Sequence, residues 1–148
     1  MAECLRGRIQ YFAATYRESH DQEGRAAILL DGKEGISGGY YRNWTVSHLF
    51  PKDDKYEKRI GQEFAFIDDT ALKLGVFDQR CFYCAFDEFD NQSIEESLKS
   101  EDLIVRIFAI LDRRVGKRRL IAMKDMISEE SEVFQLFYEI RSKAEGMS

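Results

Sequence analysis

The sequence predicts an α+β fold: an N-terminal three-stranded antiparallel meander, then a helical majority with a buried central helix. Three observations carry this expectation. β-forming residues crowd the first stretch, and Asp31-Gly32 is a strong hairpin signal. The segment 102–120 (DLIVRIFAILDRRVGKRRL) is apolar almost all the way round over 103–111, as a core helix should be, before it turns basic. The chain has 148 residues, 44% hydrophobic and 13% aromatic. That suits one globular domain over 1–148, with the meander at about 7–38 and the helical part at about 54–145.

The span 8–17 carries Ile9, Tyr11, Phe12, Thr15 and Tyr16 and reads as a strand. A polar link over 18–24 closes a turn, and 25–30 reads as a second, largely buried strand. Asp31-Gly32 suits a type I′ turn, which needs positive φ at both central residues. A third strand should run over 33–37, punctuated by Gly38-Gly39. The stretch 40–50 is ambiguous: Tyr41, Trp44 and His48 recur at helical spacing in a β-prone segment that Pro51 ends.

Asp54-x-x-Glu57 resembles a capping box. Tyr56, Ile60, Phe64, Ile67, Ala71 and Leu74 then follow at steps of three and four, which predicts an amphipathic helix ending at Gly75. Asp78 can cap a helix carrying Phe82, Phe86 and Phe89, and Ser93-x-x-Glu96 opens a short one reaching Leu98. For the central helix, Ser100 is the predicted N-cap, with Glu101 and Asp102 in the first turn. Ile104, Ile107, Phe108, Leu111 and Val115 form its apolar face, and Gly116 is its expected C′ residue. Arg114 falls on the flank of that face, so its guanidinium needs a partner from another element or must snorkel to water. Over 117–127, Leu120, Ile121 and Met123 should be buried. A last helix carries Val133, Leu136, Phe137, Ile140 and Ala144.

A net charge of −5 and a pI near 5.2 argue against general nucleic-acid or anionic-membrane binding. No run is long enough to span a bilayer, and MAECLRGR has no apolar signal-peptide region. Three cysteines without a framework suit a reducing cytoplasm. Cys81-x-x-Cys84 has Phe82 and Tyr83 between its thiols inside an aromatic helix, so both cysteines read as small buried hydrophobes. Zinc would need ligands from the scattered Cys4, His20 and His48. His20, Asp21 and Glu23 read as a solvated turn. No phosphate loop, nucleophile elbow or zinc helix appears, so no cofactor, metal or catalytic residue is expected.

Two features resist a purely structural reading. Arg113, Arg114, Lys117, Arg118 and Arg119 make a basic corner. Three of them lie in the first turn of a helix, where the dipole costs each roughly 0.3–1 kcal/mol unless a negative charge offsets it. Asp112, Asp125, Glu129 or a carboxylate from the meander could supply that charge internally, or an external anion could. Tyr40, Tyr41 and Trp44, beside the Gly-Gly pair, form a candidate interaction patch. The main expectation is a non-catalytic cytoplasmic protein acting on a protein partner. The alternative is a binder of a phosphate-bearing ligand through the basic corner, with nucleic acid disfavoured by overall charge.

Two blocks carry a resemblance: GRIQYFAATYRESHDQEGRAAILLDGKE over 7–34 and SIEESLKSEDLIVRIFAILDRRVGKRRL over 93–120. Together they resemble an uncharacterised family of small bacterial proteins marked by an LDRRVGKR motif. The blocks cover a little over a third of the chain, and the resemblance implies no activity. Ser100-x-Asp102-x-x-Val105-Arg106-x-x-Ala109 is locally similar to a HEAT-type helical pair. One such pair is no solenoid, since arrays need about three units.

Overall fold

The computed structural model describes residues 1–16, 24–39 and 67–147. After a 3₁₀ turn at Glu3–Leu5 come β1 (Ile9–Thr15), β2 (Gly24–Leu30) and β3 (Lys33–Gly39). They form an antiparallel sheet in the order β1-β2-β3. Six helices follow among the described residues: α1 (Asp69–Leu74), α2 (Gln79–Asp90), α3 (Ile94–Leu98), α4 (Leu103–Ile110), α5 (Lys117–Met123) and α6 (Glu132–Ala144). The α+β architecture is therefore the one the sequence predicts.

The hairpin between β2 and β3 turns as its residues require. Asp31 has φ 52° and Gly32 φ 81°, and Leu30 pairs with Lys33 across them. The third strand runs two residues further than expected, because Gly38 and Gly39 pair with Ala26 and Arg25 rather than ending it. The reason is close approach. A Cβ on Gly38 would sit 2.4 Å from the Phe77 carbonyl oxygen, so only glycine lets the strand pass there.

The helix expected to run unbroken from position 54 to Gly75 does not do so. Asp68 is extended (φ −105°, ψ 179°) and caps α1 through the Ala71 amide, so a new helix starts at Asp69. Its end at Gly75, in the left-handed region at φ 74°, is as predicted. Residues 54–66, with Tyr56, Ile60 and Phe64, lie outside the described residues. Asp78 caps α2, and Ser93 and Glu96 close the reciprocal capping box of α3.

α4 occupies the middle of the core, and every residue of it except Arg106 is buried. The rings of Tyr11, Phe82, Phe86 and Phe89 surround Phe108 at centroid distances of 4.6 to 6.4 Å. Burying each large apolar side chain stabilises by about 1.5–3 kcal/mol, so this helix is the centre of the packing. Its bounds differ from expectation at both ends. Asp102, not Ser100, is the N-cap, accepting from the Ile104 amide at 2.9 Å. Ser100 instead accepts from the Asp102 amide, one step earlier. At the far end the helix stops at Ile110, and Gly116 is the N-cap of α5 rather than a C′ residue. In α5 Leu120 is buried, but Ile121 is exposed and Met123 half-buried, since seven residues have room for only one inward turn. In α6 Val133 and Phe137 are buried as expected, whereas Leu136 is exposed.

Candidate functional site: the basic corner

The corner is built by the turn over 111–116 between α4 and α5. Leu111, Val115 and Leu120 are fully buried and pin its apolar side. The Val115 amide donates to the Asp112 carbonyl at 3.2 Å, and the Arg114 amide to the Asp112 carboxylate at 2.8 Å. Anchors at Leu111, Val115 and Leu120 leave the intervening residues facing outward, and most of those are cations.

Underneath lies a residue the sequence reading overlooked. Arg141 of α6 is only 2% exposed. Its guanidinium donates to the carbonyls of Ile110 (3.0 Å), Asp112 (2.9 Å) and Val115 (2.6 Å), and to the Glu145 carboxylate at 2.9 Å. The Ala2 amide takes the Leu111 carbonyl at 2.8 Å. The last carbonyls of a helix have no partner of their own and carry partial negative charge. A planar five-donor fork suits such carbonyls, and four hydrogen bonds of Arg141 are spent inside the fold. A signal for it did exist, because Phe134, Phe137, Tyr138 and Arg141 recur at helical spacing on the buried side of α6.

The outer cations divide into paired and unpaired. Arg114 is not a buried structural cation: its side chain is 44% exposed, because α4 has already ended and the turn carries it outward. It donates to Asp112 at 2.8 Å and lies over the Phe89 ring at 5.0 Å. Arg119 pairs with Glu95 at 2.6 Å, a carboxylate the sequence reading did not consider. Its buried Nη1 has no hydrogen-bond partner among the described residues. Arg106 pairs with Glu130 and sits over Phe134. Arg113, Lys117 and Arg118 are exposed and make no hydrogen bond or ion pair among the described residues. Arg113 and Lys117 line an open cleft of about 550 Å³, together with Glu3, Cys4, Gly116, Arg141 and Glu145. The hydrogen bond from the Cys4 thiol, followed by the nearby cations Arg141 and Lys117, holds the Glu145 carboxyl below its usual range.

Other candidates fare less well. Cys81 and Cys84 lie within α2 and are not joined in a disulfide. Burial above all, then the Asp78 carboxylate, pushes the Cys81 thiol up to about 12, so its thiolate is disfavoured. Among the described residues no three His, Cys, Asp or Glu converge as a metal site. Tyr40, Tyr41 and Trp44 lie outside the described residues, as do His20, Asp21, Glu23 and His48. A larger open cleft of about 760 Å³ lies between β3, α1 and α6. Its charged residues are all paired: Arg25 with Glu34, and Lys73 with Asp69 and Glu132. No described helix is long and apolar enough to cross a membrane.

One further group is perturbed without lying in a cleft. Burial, offset in part by the Ile104, Val105 and Ile67 amides, raises the Asp102 carboxyl to about 7. Its work is structural, capping the central helix. No curated protein and no solved structure matches the chain. Residues 1–142, and with them nearly all of the corner, match a family description, and the chain belongs to the SF0329 protein family.

Proposed function

We propose that this is a non-catalytic protein that works by binding an anionic partner at the basic corner. The observation that carries the reading is the division of labour among the cations. Arg106, Arg114, Arg119 and Arg141 each have a hydrogen-bonded partner, whereas the side chains of Arg113, Lys117 and Arg118 stand exposed with no ion pair or hydrogen bond among the described residues. Clustered like charges repel and disfavour the fold slightly, and an external anion relieves that repulsion. A carboxylate or a phosphate group fits this chemistry. A cytoplasmic location and a protein partner accord with cysteines not joined in a disulfide and with the acidic whole.

The test is a thermal-shift series in phosphate, sulfate and polyglutamate against chloride at equal ionic strength. Binding to the folded state raises the melting temperature by mass action, so an anion-specific rise is expected. A rise no larger than chloride gives would remove the reading.

A further inference from the structure

We propose that α5 and the turns on either side of it form a docking surface for a partner-protein segment in which carboxylates are interspersed with aliphatic side chains. This rests on the anion-binding reading above and adds the chemistry of the partner. On α5 beside Lys117 and Arg118 lies Ile121, and in the turn just past the helix lies Met126; at 55% and 66% exposed, they are the two most exposed large apolar side chains among the described residues. Ile121 follows Lys117 by four positions and Arg118 by three, so cation and apolar group share one face of α5.

A surface of that kind selects its occupant. Inorganic phosphate would satisfy the cations and leave Ile121 and Met126 in water. Single-stranded nucleic acid binds through aromatic platforms on which bases stack. Among the described residues the exposed aromatic side chains, Tyr11, Phe12, Tyr16, Tyr83 and Phe86, all belong to β1 and its end or to α2, and none to α5. A net charge of −5 also repels a long polyanion beyond the immediate contact. A segment carrying both carboxylates and aliphatics complements the surface in charge and covers its apolar part.

The experiment compares a short labelled peptide of Glu and Leu in helical alternation with polyglutamate of equal charge, a single-stranded oligonucleotide and inorganic phosphate. The full-length protein is used throughout, and binding of the two peptides and the oligonucleotide is read by anisotropy. The mixed peptide should bind roughly ten-fold more tightly than polyglutamate, the gain expected from covering one aliphatic side chain. Ile121→Ser and Met126→Ser should bring it down to the polyglutamate level with the melting temperature kept, and the Arg113→Gln, Lys117→Gln, Arg118→Gln variant should bind neither. Equal affinity for the two peptides, insensitivity to Ile121→Ser, or tighter binding of the oligonucleotide overturns the docking proposal and leaves the anion reading standing. A concentration-dependent dimer lost in Ile121→Ser assigns the surface to a second copy and overturns it too. Failure of every anion to bind, phosphate judged by its thermal shift, overturns both.

Discussion

Arg141 and the three cations above it stand at one corner and carry the same charge, yet they solve opposite problems. Arg141 is out of water and held by four hydrogen bonds: the carbonyls of Ile110 at the end of α4 and of Asp112 and Val115 in the turn after it, with the Glu145 carboxylate, surround its guanidinium. Arg113, Lys117 and Arg118 are in water and unpaired among the described residues. The lower residue fixes the path of the turn, and the upper three use that path to hold their charges together. A buried cation is expensive to orphan, whereas an exposed one costs the fold almost nothing to lose. Fold and binding are thus separable here by substitution.

The sharpest way to break this contrast is Arg141→Ala. It leaves the carbonyls of Ile110, Asp112 and Val115 and the Glu145 carboxylate without the guanidinium, and a loss of about 3–5 kcal/mol is expected in urea unfolding. Arg141→Lys keeps the charge but cannot reproduce the fork, so it should recover less than half of that loss. If Arg141→Ala costs under about 1 kcal/mol, the clamp is not what holds the turn.

The next largest effect concerns pH. With its carboxyl raised to about 7, Asp102 binds its proton more tightly in the folded chain than in the unfolded one. Its contribution to stability is therefore full below about pH 4 and is lost as pH rises through 7. Asp31, Glu95, Asp112 and Glu145 are shifted downward and act in the opposite direction. The comparison with Asp102→Asn isolates one group, since asparagine keeps the cap without the charge. At pH 8 the variant should be the more stable by about 1–3 kcal/mol, and its advantage should vanish near pH 4. A pH-independent difference would contradict the burial assigned to this carboxyl.

Arg114→Ala should have a small effect, about 0.2–1 kcal/mol, because its pairing with Asp112 and Phe89 is open to water. A cost near that of Arg141→Ala would restore the buried role its sequence position suggested.

Much of the fold was legible because local chemistry and global packing agree. Asp31-Gly32, the Ser93–Glu96 box, the Asp78 cap and the apolar run of α4 each specify their element without help from distant residues. Where the reading failed, the deciding partner is remote in sequence. Nothing local says that α4 ends at Ile110, since Leu111 and Val115 are apolar and buried in either case. The helix ends there as Arg141, 31 residues on, and Ala2 at the other end of the chain take its carbonyls. The same early end carries Arg114 to the surface and makes Gly116 a start rather than a stop. At the site, the basic cluster was visible as composition. Which members were already paired was not, because Glu95 meets Arg119 only after α3 has packed against α4.

In the binding proposed above, Arg113, Lys117 and Arg118 serve a ligand and not the fold. Urea unfolding of the wild type and of the Arg113→Gln, Lys117→Gln, Arg118→Gln variant, each with and without polyglutamate, tests this directly. The variant alone should match the wild type within about 0.5 kcal/mol or exceed it, and polyglutamate should stabilise only the wild type. A variant that loses more than about 1 kcal/mol without ligand, or gains from polyglutamate as the wild type does, would contradict the account.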